Sequence, residues 1–271
     1  MTRITNWAKK HPLVTFFALA YALSWMVEIP LALEAQGITQ TKIPFCAHYL
    51  AAYGPMLSAL IVTGVTGGSR GLRELFGRMT RWKVSSGWWL VAVAPLGLYI
   101  VAAAALLLIQ GVPMNLVAMG QVDFLPALGL AALPMWIVTF GIGEETGWRG
   151  FALPRLQKGR SALRATIILW VFWALWHLPL FFYSYDASTL PGFLIGLLAG
   201  AIVFTWLYND TGGSVLLVAL WHGTFNFTTA CVTCKSSVSA AVISTLVMVW
   251  AVVVVLHFKA ARLSHAADQA I

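Results

Sequence analysis

The sequence predicts an all-α fold: a polytopic transmembrane helix bundle of about eight spans, with both termini cytoplasmic. Three observations carry this prediction. The 271-residue chain is 60% hydrophobic and only 10% charged, with a mean hydropathy of +0.82, whereas a soluble domain carries roughly 25% charged residues. Apolar runs such as 124–142 and 242–256 need a bilayer as solvent. The basic residues, finally, fall almost entirely on one side of the expected spans. A formal net charge of +8, from 17 Lys and Arg against 9 Asp and Glu, would suggest nucleic acid in a soluble protein. In a membrane chain it reads as loop charge, and no nucleic-acid partner is expected. Three cysteines are too few for a disulfide framework.

Hydropathy places the spans near 13–33, 44–65, 87–110, 124–145, 165–183, 190–208, 214–232 and 238–257. Each has the length that a bilayer core requires. Arg3, Lys9 and Lys10 precede the first run, as in a secretory signal, but the run is too long and no small-residue cleavage site follows it. With eight spans, one side collects those three, then Arg70, Arg73, Arg78, Arg81 and Lys83, then Arg149, Arg155, Lys158, Arg160 and Arg164, and finally Lys259 and Arg262. That is 15 of the 17 basic residues, leaving Lys42 and Lys235 opposite. The positive-inside rule makes that side cytoplasmic. No linker or internal repeat divides the chain, so residues 1–271 read as one membrane domain. Its longest polar insertions are 66–86 and 146–164. The first carries Arg73, Leu75, Phe76, Arg78, Met79 and Trp82, either an amphipathic helix on the inner leaflet or an ordinary positive-inside loop. A plasma membrane fits if the source is bacterial.

Charge inside a bilayer costs roughly 2.5–3.5 kcal/mol per group on insertion scales, so intramembrane ionisable groups are functional candidates. Glu34, Glu74, Asp123, Asp186, Asp210 and Asp268 fall in loops, tails or boundaries. Glu28 lies within the first span as a buried partner or an interfacial group. Glu144 and Glu145 end an apolar run and open Glu144-Glu145-Thr146-Gly147-Trp148-Arg149. In a helix, Glu145 and Arg149 are one turn apart and form an ion pair. Glu144 then points about 100° away, with Trp148 as its neighbour one turn on. One acid is clamped by an arginine; the other is left to face a pocket.

The histidines add weight. His11, His257 and His265 lie near the termini and His48 lies early in the second span. His177 falls about 18 Å into the fifth span and His222 about 12 Å into the seventh, at 1.5 Å per residue. Asn226 follows His222 by four residues and shares its helix face. Glu144, His177, His222 and Asn226 are expected to converge at similar cytoplasm-facing depth in a water-accessible pocket. Gly141, Gly143, Gly147, Gly150, Gly196, Gly200 and Gly223 would allow close helix approach around it.

A carboxylate, two imidazoles and a carboxamide suit hydrolysis by an activated water. Glu144 would take the water's proton, with His177 orienting that water or sharing the base role. His222 and Asn226 would donate to a developing oxyanion. The same donors suit zinc, for which two His and one Glu with an open position form a catalytic set, though no His-Glu-x-x-His helix is present. The residues leave zinc and a metal-free activated water equally compatible, and no metal ligand is assigned. Gly67-Gly68-Ser69-Arg70-Gly71 spells a nucleophile-elbow pattern, but no strand precedes it. Tyr185-Asp186 lacks a second buried aspartate. Cys231 and Cys234 cannot complete a structural zinc site alone; they read as a disulfide on an oxidising face or as two free thiols.

In their order, Glu144-Glu145-x-x-x-Arg149, His177 and His222-x-x-x-Asn226 resemble the CPBP family of intramembrane proteases. That family groups the Ras-converting-enzyme type of CAAX prenyl endopeptidase with bacteriocin-processing and self-immunity proteins. The resemblance covers a catalytic core of about 125–232. It implies an eight-helix core with a conical cavity open to cytosol and membrane, and endoproteolysis of a membrane-associated peptide or protein, prenylated in the eukaryotic branch. It carries Glu144 over as the water-activating carboxylate and His177 as its partner. His222 and Asn226 become oxyanion stabilisers, and Glu145 with Arg149 the supporting pair. The family's middle motif reads Phe-x-x-x-His, whereas this chain has Trp173 four residues before His177; its ring is expected to wall the pocket.

Two other classes compete. A non-catalytic membrane partner, such as a bacteriocin self-immunity or secretion-assisting factor, has no evident need to bury these groups. A transporter with a proton relay would need repeat halves and paired broken helices, which the sequence lacks. The substrate, the lipid bilayer and no nucleic acid are therefore the expected partners, with no signal for oligomeric state.

Overall fold

The structure, a computed structural model, describes residues 3–113, 129–229 and 237–265. Cys231, Cys234 and the first residues of the expected span 124–145 lie outside them. Among the described residues every element is helical. A short α1 (Arg3–Lys10) leads into α2 (Pro12–Ala35), which starts on a proline whose missing N–H costs nothing at a first turn. After the tiny α3 (His48–Ala51) comes α4 (Gly54–Met79), followed by α5 (Ser86–Ala92) and α6 (Pro95–Gln110), which Gly111 ends in the left-handed region at φ 67°.

The next stretch, 133–157, is broken. It runs through α7 (Leu133–Trp136), a first π turn (Ile137–Glu144), α8 (Glu145–Gly147), a second π turn (Trp148–Ala152) and α9 (Leu153–Gln157). Regular helices resume with α10 (Ala162–Trp176), whose N-cap Ser161 accepts from the Arg164 N–H. Then follow α11 (Leu190–Asp210), α12 (Val215–Thr229) and α13 (Ser237–Arg262).

Among the described residues, five helical stretches are long and apolar enough to cross a membrane: Pro12–Ala35, Phe45–Met79, Ala162–Phe182, Ala187–Asp210 and Val238–Arg262. A sixth is obtained by joining α5 and α6 across their 48° bend. The chain is thus a multi-pass membrane protein with five or six qualifying helices where about eight were expected. The shortfall is local. The span expected over 124–145 is fragmented where it is described, and of the one over 214–232 the described part is the 15-residue α12, its last three residues lying outside the described ones.

One end of the bundle gathers the basic loops. There Arg78 Nη1 donates to the Gly150 carbonyl (2.9 Å), Arg81 donates to that of Gly212, and Asn209 Nδ2 to that of Arg262 (2.9 Å). At the other end Gln36 Nε2 donates to the Phe182 carbonyl (2.7 Å) and His48 Nδ1 meets the Tyr183 hydroxyl (2.8 Å). Between them lies an aromatic core. Phe17 stacks on Phe172 at 3.9 Å, and Phe16 meets Trp148 edge-on at 5.5 Å. The insertion 66–86 opens as neither a loop nor a straight extension. Gly68 takes φ 59°, ψ −153° inside α4, a conformation only glycine adopts readily. The following turns fold back so far that a Cβ at Gly71 would lie 3.0 Å from Thr63 Cγ2.

Candidate active site

Segment 133–157 carries the two acids and is squeezed from both sides. A Cβ at Gly141 would overlap the Ala219 carbonyl of α12, and one at Gly223 would stand 2.5 Å from Ile137 Cα. On the opposite flank, a Cβ at Gly147 would stand 2.5 Å from Pro55. The backbones therefore touch where side chains would normally hold them apart. Gly196 and Gly200 were expected to serve the same purpose, but a Cβ at either would meet no described atom within 4 Å; α11 faces open space there.

Glu145 and Arg149 pair as their spacing predicts. Arg149 Nη1 lies 3.0 and 2.9 Å from the two Glu145 oxygens, and neither side chain is exposed to solvent. The guanidinium is further held between Trp173 and Phe204, 4.6 and 4.7 Å from their ring centroids, a favourable cation–π arrangement when desolvated. What the spacing did not reveal is a third member. His222 Nδ1 is 2.8 Å from Glu145 Oε1, so the pair also orients that imidazole.

Glu144 has a different environment. It is 2% exposed, and its Oε2 accepts a hydrogen bond from the Trp173 indole N–H at 2.9 Å. No described residue donates to Oε1. His222, Glu145 and Arg149 lie within electrostatic reach of it. Trp173 is therefore more than a wall. The expected neighbour, Trp148, is not the aromatic group that reaches Glu144; its ring packs into the core on Phe16, Phe17 and Trp176. The π turns, which take one more residue per turn than an α-helix, alter the simple one-turn relation.

His177 is the C-cap of α10, because Pro179 stops the helix two residues later. Its Nδ1 donates to the Trp173 carbonyl at 2.7 Å, a carbonyl being able only to accept, and this leaves Nε2 with a lone pair. About 22 Å of helix separates His177 from the basic end of α10, by the rise per residue. His177 thus stands at the far end of α10 from the basic loops, whereas His222 lies about 10 Å along α12 from its Val215 end, near those loops. Asn226 sits half-buried one turn beyond His222, but among the described residues no hydrogen bond joins its carboxamide to the rest of the site. Among the described residues no group of three or more His, Cys, Asp or Glu is placed to hold a metal ion. The zinc reading thus finds no assembled donor set among those residues.

Three residues near the site were not expected in it. Glu28 is fully buried, with Oε1 4.0 Å from His48 Nδ1, and neither of its oxygens makes a hydrogen bond of normal geometry. His48 in turn bonds Tyr183. The only sequence signal was an acid and a histidine inside apolar spans; nothing in their spacing linked residues 28, 48 and 183.

Residues 125–228 match the family model of the type II CAAX prenyl endopeptidase, Rce1-like. Over those residues the chain is similar to the Rce1-like family. The matched residues include Glu144, Glu145, Arg149, Trp173, His177, His222 and Asn226. A curated relative, CAAX prenyl protease 2 of Methanococcus maripaludis, is 34% identical over 113 residues, covering 38% of this chain and 40% of the relative. The chain therefore spans well under half the length of that relative in the alignment, and α2 to α6 lie outside the Rce1-like match.

Proposed function

We propose that the protein is an intramembrane endopeptidase that hydrolyses a peptide bond of a membrane-associated substrate with a glutamate-activated water. One observation carries this reading: Glu144 has one oxygen held by the Trp173 N–H and the other unclaimed, with His222 in electrostatic reach and His177 packed on the same Trp173 ring; both histidines have Nδ1 engaged, which leaves their Nε2 atoms for the reaction. Water bound between Glu144 Oε1 and His177 Nε2 loses a proton to the carboxylate as its oxygen attacks the scissile carbonyl. His222, as imidazolium, donates from Nε2 to the oxyanion, and the Asn226 amide supplies a second donor. Each such donor contributes about 2.7–4 kcal/mol to the transition state when aligned. Glu144 then returns the proton to the departing amine. Glu145 and Arg149 fix His222 and do not touch substrate.

The relative's name makes prenylated CAAX-type peptides the first substrates to test. The purified protein is assayed on a panel of lipidated and unlipidated quenched peptides beside Glu144→Ala. Cleavage by the wild type alone, with the variant folded, is the expected result. Equal cleavage by both removes Glu144 from the chemistry. Cleavage by neither across the panel favours a binding partner that retains the fold.

A further inference from the structure

The fold-back of α4 at Gly68 borders a cavity of about 210 Å³ at the basic end, lined by none of Glu144, His177, His222 or Asn226. Its wall includes Thr63, Thr66, Glu74, Arg78, Gly150 and Arg155. The Thr63 hydroxyl is buried there without a hydrogen-bond partner among the described residues, on a residue only 4% exposed. Arg78 and Arg155 each spend one N–H on a backbone carbonyl, Gly150 at 2.9 Å and Phe151 at 2.8 Å, and neither is paired with a carboxylate of the described residues. The Arg155 guanidinium sits over the Phe151 ring, 3.6 Å from its centroid, which helps to hold it in place. The two cations oppose each other: the Arg155 pKa is held down to about 10, first by burial and then by the Arg78 guanidinium. The acid in the wall, Glu74, is already paired with Arg70 at 3.2 Å.

Two guanidinium groups without a carboxylate partner and a spare hydroxyl around a partly open hollow form a receptor for a phosphate-sized anion. We propose that this cavity binds the phosphate of an anionic phospholipid headgroup. The lipid source follows from its surroundings. The returning arm of α4 leaves Phe76 48% exposed, and Trp82 just beyond is 60% exposed. Aromatic side chains of this kind sit at the headgroup level of a bilayer, and basic pockets between helices at that level hold lipid phosphates.

The test is the thermal midpoint of the purified full chain in uncharged detergent, titrated with phosphatidylglycerol, phosphatidylcholine or inorganic phosphate. Phosphatidylglycerol raises the midpoint and phosphatidylcholine does not. Arg155→Gln weakens the phosphatidylglycerol response at least about tenfold, the effect of one lost charge-assisted hydrogen bond. Lys158→Gln, an exposed charge three residues on that does not line the cavity, leaves it unchanged. Glu74→Gln, which removes the acid from the wall, tightens it and decides the matter if the arginine variant does not fold. A full response to inorganic phosphate alone overturns the lipid assignment. An equal response to both lipids, an equal loss in Lys158→Gln, or no tightening in Glu74→Gln overturns the site.

Discussion

Segment 133–157 and helix α13 cross the same bundle by opposite means. α13 is long and regular over most of its length, and only 28% of its most apolar window is buried against the protein. Val249, Val252, Val253 and Leu256 are more than half exposed, toward lipid. Segment 133–157 is short-turned and interrupted by two π turns, yet residues 143–154 are all buried, Glu144, Glu145 and Arg149 among them. The difference is one of solvent. Lipid tolerates apolar side chains but no unsatisfied backbone, so a lipid-facing span must be a regular helix. A segment wrapped in protein can carry charge and irregular backbone, because neighbouring helices supply the partners.

That contrast can be broken by substitution. The largest effect is expected from Arg149→Ala, which strands the buried Glu145 and destabilises the fold by about 3–5 kcal/mol; Val253→Ala on α13 stays within about 0.5 kcal/mol, as a lipid-facing change away from any such feature. Both are read from unfolding midpoints in detergent. Next comes Trp173→Phe. It keeps a ring under Arg149 but removes the N–H from Glu144, and the lost charge-assisted bond costs about 1.5–3 kcal/mol in kcat/KM. The loss falls on kcat, with KM and the unfolding midpoint nearly unchanged; an unchanged kcat makes Trp173 a packing residue only. Gly147→Ala drives a methyl into Pro55 and costs about 1–3 kcal/mol of stability. The smallest effect is Gly196→Ala, within about 0.5 kcal/mol, since nothing stands near that position. Equal costs for the two glycines would erase the distinction between the regions.

The sequence was most legible where causes are local. Hydropathy located the long helices, with bounds such as Pro12–Ala35 against an expected 13–33. The four-residue spacing foretold the Glu145–Arg149 pair. Contacts across the chain were not legible. Trp173 reaches Glu144 over 29 positions and His222 reaches Glu145 over 77, distances at which periodicity carries no information. Nor did hydropathy reveal the π turns or the reversal at Gly68, because apolar content is indifferent to backbone pitch. The motif spacing singled out Glu144, Glu145, Arg149 and His222, which the fold brings within reach of one another; the different placements of Trp148 and Trp173 emerged only from packing.

The central claim is a division of labour between adjacent acids: Glu144 for chemistry, Glu145 for architecture. It is tested most directly by measuring unfolding midpoint and peptide hydrolysis in parallel for Glu144→Gln and Glu145→Gln. The account predicts that Glu144→Gln unfolds like the wild type and hydrolyses at least about a hundredfold more slowly, the lower range for a lost general base. Glu145→Gln loses stability, having weakened its hold on both Arg149 and His222. Wild-type hydrolysis by Glu144→Gln, or wild-type stability in Glu145→Gln, would contradict it.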